Sequence, residues 1–218
     1  AHDGSLTNEQ LENLELAKSC FSIIDENFSF NRVMASDNEI MINTPNGEIY
    51  YEYLSSGFKS IISILFGIIK DIEFRFKDPT IKAKDFDGII LIDELELHLH
   101  PIWQAKISNI LKKVFPRVQF IVTTHSPHII QNANPNEIIA LKRDENGVVI
   151  KKEIPNNEFG FQGWTVEEVL GDIMGMEDTR TEIYKNSIRD FQNAIMDENY
   201  SLAKEEFDKL DKLLHPDN

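Results

Sequence analysis

Asp93 and Glu94, two carboxylates in succession, end the apolar run Gly88-Ile89-Ile90-Leu91-Ile92, and His125 follows a second run, Val118-Gln119-Phe120-Ile121-Val122-Thr123. An Asp-Glu pair near a histidine suits a divalent cation and the activation of a water molecule. Burying one carboxylate is costly, so two beyond an apolar strand ask for a reason such as a cation. The plainer reading, that the pair begins a solvated loop, stands beside it. A further stretch with chemistry is Leu54-Ser55-Ser56-Gly57-Phe58-Lys59-Ser60, directly before Ile61, Ile62, Ile64, Leu65, Ile68 and Ile69. Hydroxyls and free amides at a helix start form an anion-binding arrangement, although serine is also an ordinary helix cap.

These groups meet only if the elements place them. The run 88–92, aliphatic and β-branched, reads as a strand buried on both faces, as inside a parallel sheet. In an open α/β sheet, ligands bind beyond the carboxyl ends of the strands. Pro101 suits the first turn of a helix reaching about Val114, with Ile102, Ala105, Ile107, Ile110 and Leu111 on one side, and Pro116 stops it. Residues 118–123 read as a second buried strand. Strand, crossover helix and strand make a βαβ unit with neighbouring parallel strands, which would set Asp93 and Glu94 beside His125.

The remaining spans are read from the same signals. Residues 5–26 have helical spacing at Leu11, Leu14, Leu16, Ala17, Phe21, Ile23 and Ile24, with Thr7 as cap and Glu9 and Gln10 in the first turn. Strands are expected at 30–33, 39–42 and 48–53, the last two joined by Asn43-Thr44-Pro45-Asn46-Gly47, in which Asn-Gly is the strongest turn signal. Residues 70–85 form a polar connection containing Pro79. Strands at 138–141 and 148–150 flank the hairpin turn Arg143-Asp144-Glu145-Asn146-Gly147. From Gly160 the pattern is helical. Thr165 caps a helix that Gly171 and Gly175 interrupt, and amphipathic helices follow at 179–196 and 201–214, ending at His215-Pro216. The expected organisation is a helix and hairpin over 1–53, a catalytic lobe over 54–159 and a helical tail over 160–218.

Composition narrows the classes. At 218 residues the chain suits one large domain or two small ones. Its net charge of −15 argues against a non-specific nucleic-acid coat, which needs a basic surface. That acidity lies in the flanks: residues 1–53 hold 10 acidic and 2 basic side chains and residues 160–218 hold 14 and 6, whereas 54–159 hold 13 and 14. A local basic patch in the middle therefore stays open. Cys20 is the single cysteine, so there is no internal disulfide and no thiolate zinc cluster, which suits a reducing cytoplasm. The apolar run 61–69 falls far short of the roughly 18 residues of a membrane span, so no membrane role is expected. The start, Ala1-His2-Asp3-Gly4, carries neither an initiator Met nor a signal pattern and reads as a tag remnant or the start of a fragment.

Taken in order, these stretches resemble ATP-binding-cassette-type ATPases of the structural-maintenance, recombination and overcoming-lysogeny-defect group. Leu54-Ser55-Ser56-Gly57 resembles the signature motif, Ile89-Ile90-Leu91-Ile92-Asp93-Glu94 the Walker B strand, Leu97-His98-Leu99-His100-Pro101 the D-loop, and Val122-Thr123-Thr124-His125-Ser126-Pro127 the switch. The Leu-His-Leu-His-Pro and Thr-His-Ser-Pro runs are most similar to bacterial defence ATPases of the Septu type and its retron-associated versions. The resemblance implies an α/β fold: the C-terminal lobe of an ABC-type head with a partly parallel sheet, a β-hairpin and an acidic helical tail. It implies ATP and Mg2+ as cofactors, with Asp93 holding Mg2+ through water, Glu94 as the general base and His125 sensing the γ-phosphate. Ser55, Ser56 and Gly57 would contact ATP bound on the other subunit of a head-to-tail dimer. His100, in the D-loop, joins the nucleotide-contacting set at the subunit junction. Lys59 stands close enough to add charge to a phosphate, or is a solvated first-turn lysine. The partner implied is a protein effector such as an HNH-type nuclease, in anti-phage defence, with DNA or other nucleic acid left open.

Two residues depart from the family pattern: Ser56 replaces the first signature glycine, and Leu95 stands where many relatives have proline. No Gly-x-x-x-x-Gly-Lys-Ser/Thr occurs, so no Walker A loop cradles the phosphates. The resemblance puts that loop upstream, which makes this the C-terminal half of an ATPase, inactive by itself. Other functions stay open: a DNA repair or recombination ATPase head, a metal-dependent nuclease using Asp93, Glu94, Glu96 and His125, and a non-catalytic adaptor. His98 and His100 with Glu96 could ligate a metal, but one cysteine and the lack of structural-site spacing favour the junction role. Trp103 and Trp164 read as core or interface anchors rather than base-stacking platforms.

Overall fold

The computed structural model describes residues 6–155, 157–176 and 178–214, so Ser5, where the first helix was expected to open, and the closing His215-Pro216 lie outside the described residues. The chain divides into two compact units, one up to Val169 and one from Leu170.

Local chemistry sets the first helix, α1 (Asn8–Ile24). The Thr7 hydroxyl accepts the Gln10 amide at 3.2 Å while Gln10 Oε1 accepts the Thr7 amide at 2.9 Å, so two otherwise orphaned donors are satisfied reciprocally. An antiparallel sheet of β1 (Ser29–Val33), β2 (Ile40–Thr44) and β3 (Gly47–Tyr50) follows. The two-residue loop between β2 and β3 is Pro45-Asn46, with Thr44 paired to Gly47. Gly47, the residue that follows this loop, takes a positive backbone angle, φ +114°. The third strand stops at Tyr50, because Tyr51–Tyr53 turns into a 3₁₀ segment leading into the next helix.

That helix, α2 (Ser56–Arg75), runs six residues past the last apolar position of the sequence reading, its C-terminal turn held by an Arg75–Asp71 ion pair at 2.6 Å. The connection then contains a 3₁₀ turn over Ala83–Asp85. Next come β4 (Ile89–Ile92), α3 (Pro101–Val114), β5 (Gln119–Val122) and the short α4 (Pro127–Gln131). β4 and β5 pair in parallel, with Ile89 opposite Gln119 and Ile92 opposite Val122. α1, α2 and α3 pack on one another around Phe21, Phe58, Ile61, Leu65, Ile107, Leu111 and Phe115, all 2% exposed or less. Phe21 stacks on Phe58 at 6.3 Å and meets Tyr51 edge-on at 6.4 Å, a geometry that adds to the area these rings bury.

Two expectations are corrected. A strand buried on both faces was expected at 88–92, yet Ile89, Leu91 and Ile121 are 60%, 74% and 52% exposed. Among the described residues, the alternate positions Ile92, Phe120 and Val122 pack against the core, and the parallel pair is a sheet by itself. Among the described residues the strands form three small sheets, of which the parallel pair is one. The later hairpin also shifts: β6 (Leu141–Arg143) and β7 (Val149–Lys151) pair antiparallel, with one further bond from the Lys152 amide to the Ala140 carbonyl at 2.8 Å, and residues 138–140 lie outside the strand itself.

Thr165 makes a capping box with Glu168 at the one-turn α5 (Val166–Glu168), which passes into a π turn over Val169–Ile173. The second unit carries α6 (Glu182–Met196) and α7 (Tyr200–Leu213), capped by Thr181 and Asn199 and packed as a pair through Phe191 and Phe207. No helix among the described residues is long and apolar enough to cross a membrane.

Candidate functional site at the ends of the parallel strands

Strand pairing does not stop at Ile92. The Thr123 amide donates to the Ile92 carbonyl and the Leu95 amide to the Thr123 carbonyl, both at 3.0 Å, so the ladder carries one step beyond the strands. The Thr123 hydroxyl fills the same step: it accepts the Glu94 amide at 2.8 Å and donates to Asp93 Oδ1 at 2.5 Å. One side chain from the second strand thus orients both acidic residues of the first.

Beyond this point the backbone turns sharply. Glu94 and His98 take left-handed φ values of +49° and +63°, which cost of order 1 kcal/mol each for non-glycine residues and persist where surroundings over-determine them. Here the surroundings are turn bonds from Leu97 to Glu94 and from Leu99 to Glu96, each 2.9 Å, and the burial of Leu95 and Leu99 to 2% and 6% exposure. These two leucines anchor the loop and leave Asp93, Glu94, His98 and His100 facing solvent. His100 caps α3: its Nδ1 accepts the Ile102 amide at 3.4 Å, and Pro101 takes the first helical position, where no amide is needed.

The switch-like segment is fastened to this loop. Glu96 accepts from the Thr124 hydroxyl at 2.7 Å through Oε2 and from the His125 amide at 2.5 Å through Oε1. Partial burial pushes the Glu96 carboxyl up, but the bonds from Thr124 and from the His125 amide outweigh it and hold the group below the usual range. The His125 side chain itself is exposed.

The serine-rich stretch is brought to the same side through α3. Ser55 caps α2, its hydroxyl accepting the Phe58 amide at 3.3 Å, and Ser55 and Ser56 are exposed. Gly57 is buried against Trp103, in the first turn of α3; a Cβ there would lie 2.3 Å from Trp103 Cδ1. The two helix N-termini, one capped by Ser55 and the other by His100, are therefore neighbours. Lys59 lies elsewhere: its ammonium bonds the Glu52 carboxylate and the Glu52 carbonyl, both at 3.1 Å. Trp103 meets Phe58 edge-on at 5.7 Å, and Trp164 meets Phe161 at 5.2 Å, so both indoles pack on other rings.

Among the described residues no three of His, Cys, Asp and Glu converge on a point that could hold a metal ion. A nuclease cluster of Asp93, Glu94, Glu96 and His125 is not formed, nor a zinc set of Glu96, His98 and His100. Asp93 offers a single exposed carboxylate with one oxygen taken by Thr123. That suits a cation which keeps several waters and takes most other ligands from a substrate, as Mg2+ does, rather than a protein cage. Thr123, and Gln104, whose Oε1 accepts the Ser126 hydroxyl at 2.6 Å, had no role in the sequence reading; the Thr123-Thr124 doublet at a strand end was the available signal, whereas nothing local marks Gln104.

The model of the AAA ATPase domain family matches residues 3–130. The chain is 51% identical over 217 residues to the Septu protein PtuA of Bacillus thuringiensis, covering 99% of this chain and 55% of that protein. It is 28% identical over 184 residues to the probable ATPase of retron Ec83 from Escherichia coli, covering 84% of this chain and 32% of that protein. The chain thus spans about half the length of the first relative and about a third of the second. Among solved structures, one from work on ATP-driven dimerization and DNA-stimulated activation of SMC ATPases superposes with a TM-score of 0.50 at 16% identity, covering 78% of this chain and 94% of that one. That likeness is one of fold.

Proposed function

The chain belongs to the AAA ATPase domain family, and from that premise we propose that it carries the hydrolytic edge of an ATPase head that acts as a nucleotide-sandwich dimer. The observation that supports this reading best is the Thr123 hydroxyl bridging Asp93 and the Glu94 amide, with His125 held on the next turn of chain. Phosphoryl transfer needs charge neutralisation, an oriented water and donors around the γ-phosphate, and little covalent chemistry from the protein.

Asp93 is the residue that would hold Mg2+, and the ion, when bound, would supply the charge that neutralises the phosphates. Glu94, at the strained turn, orients the attacking water and takes its proton. His125 reads the γ-phosphate. Ser55, Ser56 and the amides of the first turn of α2, Gly57 included, face the nucleotide of a second head in a head-to-tail dimer, with His100 at the junction. Lys59 reaches a phosphate only by leaving Glu52. The phosphate-cradling loop, absent from these 218 residues, is supplied by other residues of the assembly, so this chain alone does not turn over ATP.

By likeness to the Septu and retron relatives, the head serves anti-phage defence in the cytoplasm and controls a protein effector such as an HNH-type nuclease, with nucleic acid as a candidate trigger. The α6–α7 pair suits effector contact, since Ile183, Met196, Tyr200 and Phe207 are 60%, 80%, 74% and 55% exposed. The test is Glu94→Gln in the full-length protein. Loss of a general base should lower ATP turnover by about 10²–10⁴-fold while ATP is still bound and a dimer accumulates. Turnover within a factor of about two of the unsubstituted protein would remove Glu94 from that role.

A further inference from the structure

We infer that Glu96 is a positioning residue: its carboxylate clamps the main chain at His125 and so fixes where the His125 ring stands. The inference rests on the ATPase reading above for its functional consequence, but not for the clamp itself.

The ladder between the two parallel strands ends with the Leu95 amide on the Thr123 carbonyl. From Thr124 on, the chain has no strand partner, and the His125 amide has to find an acceptor elsewhere or face water. Glu96 supplies it, and its second oxygen takes the Thr124 hydroxyl. Thr124 Oγ1 in turn accepts the Ser126 amide at 3.0 Å. A second fastening lies one residue on: the Ser126 hydroxyl donates to Gln104 Oε1 at 2.6 Å, and Gln104 Nε2 donates to the Leu99 carbonyl at 2.8 Å. Segment 124–126 is therefore tied at both ends to segment 96–104, with His125 between the ties. Hydrogen bonds to an ionised acceptor are short and strong, which makes Glu96 the stiffer of the two ties. Both carboxylate oxygens accept donors from residues 124 and 125, and through them Glu96 acts on His125.

The test compares unsubstituted protein, Glu96→Ala and Glu96→Gln in the full-length chain. Glutamine keeps an acceptor for the His125 amide, and its NH2 reaches the Thr124 hydroxyl. Glu96→Ala should lower kcat for ATP at least about tenfold with KM changed less than about threefold, and Glu96→Gln should recover kcat to within about threefold. Amide hydrogen exchange at His125 should be about tenfold faster in Glu96→Ala and near normal in Glu96→Gln, since exchange reports local opening. Unchanged kcat in Glu96→Ala, equal impairment in both variants, or unchanged exchange at His125 would each overturn the clamp. Should Glu96→Ala fail to fold, Thr124→Val, which removes the hydroxyl's bonds to Glu96 and to the Ser126 amide, should still speed exchange at His125, and unchanged exchange there would overturn the clamp. An unsubstituted protein without ATP turnover defeats the ATPase reading alone, because exchange at His125 still reports on the clamp.

Discussion

Gly57→Ala is the sharpest probe of how the two helix N-termini are assembled. An added methyl would stand 2.3 Å from Trp103 Cδ1 and 2.8 Å from Nε1, where ordinary contact needs about 3.5 Å or more. The ring has to give by roughly 1 Å, and Phe58 at 5.7 Å and the Lys106 ammonium at 5.2 Å hold it from other sides. Overpacking of this kind costs about 1–3 kcal/mol. Alanine recovers up to about 1 kcal/mol of helix propensity over glycine, and less in a first turn. The net expectation is a loss of about 1 kcal/mol, read as a lower urea midpoint by circular dichroism. In a Trp103→Ala background the obstruction is gone and only the propensity gain remains, so the same substitution should become neutral to stabilising. The double-mutant cycle should give a coupling of about 1–3 kcal/mol with a change of sign between backgrounds. A Gly57→Ala protein stabilised in the natural background, or equal effects in both backgrounds, would refute the packing argument.

Other expectations concern single side chains. Asn13, 2% exposed, donates to Glu73 Oε1 and the Ile81 carbonyl and accepts the Ala83 amide at 2.6 Å; Asn13→Ala strands these groups and should cost about 2–4 kcal/mol in urea unfolding. Cys20 is fully buried, donates to the Leu16 carbonyl, and burial pushes its thiol up to about 12; a disulfide reagent at pH 8 should label it only after denaturant is added, and stoichiometric labelling of the native protein would contradict that. Partial burial pushes the Glu137 carboxyl up, but bonds from Lys112 and from the Asn134 amide and side chain outweigh it and hold the group below the usual range. A carboxyl lowered in the folded state contributes stability that is present above its unfolded value and lost as pH falls through the folded one. Glu137→Gln should therefore destabilise at pH 7, with the gap to the natural protein closing on acidification below the ordinary glutamate range; a gap independent of pH would discount the ion pair.

Much of the candidate site was legible because its chemistry is local in the chain. Strand-ending Asp93-Glu94, the Ser55 cap before an apolar helix and the Thr123-His125 strand end are each short patterns with a mechanism. What was not legible joins residues far apart in sequence: Thr123 to Asp93, Glu96 to His125, Gln104 to Ser126, Gly57 to Trp103. No periodicity or turn rule marks which polar side chain will meet which amide across two strands. Lys59 illustrates the same limit, since its spacing suited a phosphate while Glu52 in the preceding 3₁₀ turn took its charge.

The sequence by itself determined the caps at Thr7, Ser55 and Thr165, the helix faces and the presence of the two hairpins, because hydrogen bonds within three or four residues and a 3.6- or 2-residue apolar period need nothing distant. It also determined the order of the motifs. Only the tertiary structure decided that the aliphatic strand 89–92 is covered on one face and open on the other, since burial depends on which layers stand beside a strand and not on its own residues. The tertiary structure likewise decided that the two acidic residues share a threonine and that the His125 amide meets Glu96. Those contacts form where two strand ends, some thirty residues apart in the chain, are brought side by side by the pairing of their backbones.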